Sequence, residues 1–208
     1  MGEVKATFSK KTIDRALKEL VPENSFPINS IISDKGVSDA LIKDPNPKAN
    51  KLKEKSGIYI FWWDLSKSDF IKSHKRIVIE KVPKKSLSIK VTAEVTDDWI
   101  EAATFNNKVC LYVGKTTDLR GRMSGHLKLR SPKCDPYGKK NRLNKNTESQ
   151  MRLALEALAG ENMLQEIRDN VTVSYHIMRS YSESINRFYI EDALIGKYFP
   201  LFNIDIER

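Results

Sequence analysis

The chain has 208 residues, 40% of them hydrophobic and 30% charged, with a formal net charge of +9. That length suits one domain with a large elaboration, and the apolar content is enough for a core. No apolar run approaches the roughly 18 residues of a membrane span, and the charged first twenty residues lack a signal-peptide core, so a membrane or secreted protein is not expected. Two cysteines, Cys110 and Cys134, can build neither a disulfide framework nor a four-ligand zinc site. A cytoplasmic, reducing location is the simplest expectation.

The positive charge is concentrated. Between Lys115 and Lys145 there are ten basic residues against two acids, Asp118 and Asp135, so this window carries nearly all of the excess. A field of that kind suits a polyanion, although a solvated basic loop would read the same way.

In chain order, Ser9 followed by Ile13, Ala16, Leu17 and Leu20 predicts a capped amphipathic helix, ended by Pro22 and Pro27. A short helix is expected around Val37 to Ile42. The Pro-, Asn- and Lys-rich run from Asp44 to Gly57 reads as a linker between an N-terminal extension, residues 1–50, and a main domain, residues 51–208. That domain opens with the β-branched and aromatic run Gly57 to Trp63, a buried strand by pattern. Arg76 to Val82 and Leu87 to Val95 predict two strands joined by a Pro-Lys-Lys-Ser turn. Thr96 caps a helix through Phe105, and Asn106-Asn107 turns into a strand over Lys108 to Val113. Thr117-Asp118 begins a helix whose apolar spine is Leu119, Met123 and Leu127. After the basic loop come helices over Glu148 to Ala159 and Glu161 to Arg168. A strand over Val171 to Met178 and a helix over Ile185 to Tyr198 complete the order. The fold class this implies is α/β: a small sheet with a three-stranded core flanked by helices. It carries a β-rich insertion at about 64–107 and an N-terminal helical extension.

Four elements then stand in a particular order: Gly57-Ile58-Tyr59, Tyr112-Val113-Gly114, an arginine early in the next helix, and a glutamate in a late helix that ends in Pro200-Leu201-Phe202-Asn203. This resembles the GIY-YIG endonuclease family over roughly residues 57 to 205. The layout, with the module last and about fifty residues before it, is closest to the family's small stand-alone restriction endonucleases. The resemblance implies a metal-dependent DNA endonuclease that hydrolyses phosphodiester bonds, a type II restriction endonuclease, with Mg2+ (or Mn2+) as cofactor. Double-stranded DNA is the implied partner, no membrane is involved, and a homodimer is compatible. A repair or mobile-element nuclease, or a non-catalytic nucleic-acid-binding module that keeps the fold, are the alternatives.

The resemblance implies catalytic roles for Tyr59, Tyr112, Lys115, Arg122, His126, Glu191 and Asn203, with Glu191 as metal ligand. Chemistry stands beside it. A tyrosine serves as a base near neutral pH only where cations favour its phenolate, and read alone each tyrosine is equally a sheet-packing residue. Tyr59 is the first choice of base and Tyr112 the second. Arg122 can brace a phosphate with two parallel hydrogen bonds, and His126 follows it by one helical turn. On a helical wheel Glu191 falls between Ile195 and Tyr198, so it needs a partner: a divalent cation, or a basic neighbour such as Arg187. Asn203 would support the site. Lys128, Arg130, Lys139, Lys140, Arg142 and Lys145 carry no motif position and are expected along the DNA backbone. Two departures from the family stand out: the middle tripeptide reads Tyr-Val-Gly, and fifty-two residues separate the two tyrosines. The insertion between them, with its Lys84-Lys85 turn, has room for a DNA-reading arm.

Overall fold

Ile58, Ile60 and Trp62 face one side of a sheet and Tyr59, Phe61 and Trp63 the other, and all six are fully buried. Successive side chains of a strand point to opposite faces, so a strand without a polar alternate is covered on both sides. A computed structural model of the chain describes residues 5–30, 32–33, 36–37, 55–67, 71, 76–81, 89–127, 149, 151–152, 154–155, 163–178 and 181–203. In it this run is β4 (Ser56–Asp64), the centre of a mixed α/β fold.

Around β4 lies a five-stranded, wholly antiparallel sheet. Its members are β1 (Phe26–Pro27), β7 (Thr104–Phe105), β8 (Lys108–Thr116) and β9 (Val171–Met178), in the order β1-β9-β4-β8-β7. The sheet therefore has five strands where three were expected. The three long strands are those read from the sequence. The two edge strands are two residues each, too short to carry a periodicity. Two further two-stranded sheets stand apart, β2 (Ile32–Ser33) with β3 (Gly36–Val37), and β5 (Arg76–Lys81) with β6 (Ile89–Glu94). Val37 thus lies in a strand and not in the expected helix, and residues 38–42 lie outside the described ones. The 44–54 part of the linker, the Lys84-Lys85 turn and Cys134 lie outside them too.

One face of the sheet is covered by α1 (Lys10–Glu19) and α5 (Ser184–Tyr198), which bring Ala16, Leu20, Ile190, Leu194 and Tyr198 onto Ile58, Ile60 and Trp62. Ser9 caps α1 as expected, its hydroxyl accepting from the Thr12 N–H at 3.2 Å. The N-terminal segment is knitted into this core: Ser9 N–H donates to Asn186 Oδ1 at 2.8 Å, and Tyr198 donates its hydroxyl to the Leu20 carbonyl at 3.2 Å. The other face packs against α2 (Asp97–Ala102), α3 (Leu119–Leu127) and α4 (Met163–Asn170), through Ile100, Leu119, Met123 and Ile167. Residues 151, 152, 154 and 155 are helical within the expected 148–159 segment and add Met151, Ala154 and Leu155 to that side.

A β-bulge decides which side Tyr112 faces. Phe61 pairs with Tyr112 but Trp62 pairs with Cys110, so Leu111 is the extra residue. The bulge resets the alternation, and Leu111 and Tyr112 both belong to the Tyr59 side while Val113 belongs to the other. Beyond β7 the edge of β8 is closed by the chain leaving α5. Phe199 takes a left-handed conformation at φ 45°, and Leu201 and Phe202 then donate to the carbonyls of Cys110 and Leu111 at 3.1 and 2.8 Å. Buried strand edges need partners for their N–H and C=O groups, and this return supplies them.

Gly57 sits where β4 meets β9: a Cβ there would stand 2.2 Å from the carbonyl oxygen of His176. Backbone cannot move aside as a side chain can, so Gly57→Ala should cost about 3 kcal/mol or more, the upper end for overpacking. Gly125 in α3 has nothing within 4 Å of its would-be Cβ. Gly125→Ala should stabilise by about 0.5–1 kcal/mol through helix propensity. Urea denaturation of the two variants checks the contrast.

Candidate active site

The cross-strand register puts Tyr59 opposite Gly114. A Cβ at 114 would lie 2.5 Å from the Tyr59 hydroxyl oxygen and 2.8 Å from Cε1 of Tyr112. Only glycine leaves the room in which the two phenols meet. Their rings stack at 25° with centroids 6.3 Å apart, Tyr59 fully enclosed and Tyr112 6% exposed.

Above them stands α3. Asp118 caps it by accepting from the Gly121 N–H at 3.0 Å, and the Leu119–Met123 spine turns Arg122 and His126 toward the sheet. His126 is fully buried among Tyr59, Phe61 and Tyr112, with ring centroids 5.5, 5.8 and 4.8 Å away. Its Nε2 shares a hydrogen bond of 2.7 Å with the Tyr59 hydroxyl, and its Nδ1 shares a close one with Ser149 Oγ. Burial, with the charges of Arg122 and Arg152, drives its pKa down to about 3, so the imidazole is neutral near pH 7. Arg122 lies against both phenols: burial alone would lower its pKa, but the two tyrosines turn the net direction upward. Burial pushes Tyr59 well above the ordinary phenol range, Tyr112 adds to this, and Arg122 opposes it.

Glu191 approaches from α5. Its side chain is 3% exposed, yet its charge is felt at the Tyr59 hydroxyl. One carboxylate oxygen accepts the Lys115 backbone N–H at 3.2 Å, and the other is in close contact with the Lys115 ammonium. The expected basic neighbour, Arg187, instead donates to Ser56 Oγ at 3.3 Å. Lys115 follows Gly114 on β8 and pairs with Ile58, so its side chain starts on the face that α5 covers, across the sheet from the tyrosines. Asn203 grips β8 one residue before Gly114: Val113 N–H donates to its Oδ1 at 2.9 Å, and its Nδ2 donates to the Val113 carbonyl at 2.8 Å.

Tyr59, Tyr112, Arg122 and His126 thus meet on one face of the β4–β8 pair, while Lys115 and Glu191 pair on the face that α5 covers and Asn203 grips the backbone of Val113 between them. Ser149 and Arg152 were missed. A serine before a helix signals a cap, and Ser149 does accept the Arg152 N–H at 3.0 Å, but nothing local signals its bond to His126. The expected DNA-contacting residues Lys128, Arg130, Lys139, Lys140, Arg142 and Lys145 lie outside the described residues. To a metal the described site offers one enclosed carboxylate, Glu191. It already faces a cation, and Mg2+ needs only one or two protein carboxylates beside waters and substrate oxygens. Among the described residues no three His, Cys, Asp or Glu side chains cluster as a metal cage. Nor is any described helix long and apolar enough to cross a membrane.

No family model matches the chain, and neither a curated protein nor a solved structure matches it.

The neutrality of His126 has a pH signature. Its folded pKa of about 3 lies below the ordinary 6.5, so between those values the folded state binds fewer protons than the unfolded. The stability this lends is complete above about pH 6.5 and is lost as the pH falls toward about 3. His126→Gln removes the group. The slope of unfolding free energy against pH, from urea melts at about pH 7 down to about pH 4.5, should flatten by up to one proton.

Proposed function

We propose that the protein is a divalent-metal-dependent DNA endonuclease of GIY-YIG type that hydrolyses phosphodiester bonds, with a restriction endonuclease as its specific form. One observation carries this reading. Tyr59, Tyr112, Arg122 and His126 form a single cluster, with the Lys115–Glu191 pair at its side. A half-buried arginine set against two enclosed phenols, next to a buried carboxylate paired with lysine, is costly to assemble for stability alone.

Each residue then has a role. Arg122, lying against the two phenols, presents guanidinium N–H groups to a phosphate, and Lys115 adds a second positive charge as negative charge builds on the phosphorus oxygens. Glu191 would hold a divalent metal, which when bound would supply Lewis-acid chemistry at the phosphate. Between the tyrosines, Tyr112 is the nearer to solvent, and Tyr59 is sealed with its hydroxyl on His126. We therefore assign Tyr112 the contact with the attacking water. Behind it, Tyr59 and the neutral His126 share a hydrogen bond that holds the Tyr59 phenol in place. Asn203, bonded to both polar groups of Val113, keeps β8 and Lys115 in register with Glu191.

The net charge of +9 supports a polyanionic substrate. Cleavage of a methyl-free plasmid library with Mg2+, read by sequencing the ends, tests the activity and its target together. Reproducible ends at a short site fit restriction, structure-dependent ends fit repair, and intact DNA refutes the nuclease. Glu191→Gln should abolish cutting while low-salt DNA binding survives, since backbone attraction comes mainly from Lys and Arg. Arg122→Ala should lower turnover by about 10²- to 10³-fold, as for one donor to a developing oxyanion. Single-turnover cleavage and gel-shift titration read both variants.

A further inference from the structure

Both oxygens of Glu191 are occupied by the same residue. The Lys115 backbone N–H takes Oε1 and the Lys115 ammonium takes Oε2. The ammonium also stands 5.1 Å from the ring centroid of Phe188, which precedes Glu191 by one turn of α5 and is half exposed. It is therefore held between a carboxylate and an aromatic face, two groups that each favour a cation. The Glu191 side chain is 3% exposed and that of Lys115 27%, so the contact is shielded on the carboxylate side and open on the lysine side.

A divalent cation at Glu191 needs the oxygen that the ammonium covers, and two cations cannot share it without repulsion. An enclosed carboxylate favours a cation beside it, so a metal is drawn to Glu191 as the ammonium departs. Lysine suits such an exchange, because its charge is compact and its four-carbon stem is flexible. An incoming phosphate is the natural receiver for the displaced ammonium, since it brings negative charge to the same rim.

We propose that Lys115 is a latch on Glu191: in DNA-free protein its ammonium excludes divalent metal from the carboxylate, and a DNA phosphate that draws it away opens the metal site. The proposal rests on the nuclease reading above and adds regulation to it. Metal and DNA binding become coupled, and by linkage each tightens the other. The free enzyme then carries little metal and is armed mainly on DNA.

The test measures Mn2+ affinity of the full chain without DNA, from the free-Mn2+ electron paramagnetic resonance signal. Lys115→Met, which keeps stem length without charge, should bind Mn2+ about tenfold or more tightly than wild type, within the usual span of coupling between sites. Glu191→Gln added to it should remove the gain. A duplex oligonucleotide pool, with its own Mn2+ uptake subtracted, should tighten Mn2+ binding by wild type and leave Lys115→Met nearly unchanged. Equal or weaker binding by Lys115→Met, with Glu191→Gln still abolishing it, overturns the latch and leaves the metal assignment standing. Binding indifferent to Glu191→Gln in every background overturns the metal assignment and the latch with it. Circular dichroism melts confirm that each variant is folded.

Discussion

One extra residue in β8 sets the geometry on which the site depends. Were the β4–β8 ladder regular through Leu111, the side chain at 112 would turn toward α1 and α5, away from Tyr59. The bulge turns it back, so that Phe61 and Tyr112 are cross-strand partners on one face and Gly114 falls opposite Tyr59. The missing side chain at 114 then admits both phenols, and Arg122 lies against the pair. Bulges concentrate beside functional sites because they re-aim a side chain without changing the strands around it. Here the irregularity is held by the returning chain, whose Leu201 and Phe202 amides occupy the carbonyls of Cys110 and Leu111.

Long elements with a clear period were legible in the sequence. The alternation-free run Gly57 to Trp63, the capped α1, the strand at Val171 to Met178 and the final helix are all found within two residues of their expected limits. What was not legible has physical reasons. Phe26–Pro27 and Thr104–Phe105 become strands only because a long neighbour offers free N–H and C=O groups at its edge. Val37 carries an apolar spacing compatible with a helix, and its pairing with Ile32 is a tertiary choice that overrides it. The bulge leaves no local mark, since its cause is the register of two strands and the chain after α5.

The site was legible as a set of residue types in order, but not as electrostatics. Spacing along α3 places Arg122 and His126 on one side, yet it does not reveal that His126 is sealed between Tyr59 and Ser149 and kept neutral. Nor does a helical wheel identify the partner of Glu191. The wheel offered Arg187 within the same helix, and the carboxylate instead bonds across to β8, with a backbone amide and an ammonium from one residue. Buried charges are satisfied in three dimensions, and an i, i+4 neighbour is only the candidate that sequence can display.

The placement of the first thirty residues bears on how the chain is made. Ser9 bonds to Asn186, and Ser25 to Thr172, partners 177 and 147 positions later in the chain. At a synthesis rate of about 5–20 residues per second, α1 leaves the ribosome roughly ten to thirty seconds before the strand and helix that cover it. For much of that interval its apolar stripe, Ile13, Ala16, Leu17 and Leu20, has only the β4 and β8 side of its native surroundings to meet. The contacts that close over α1 therefore form late, once the strand and helix that carry Thr172 and Asn186 have been made.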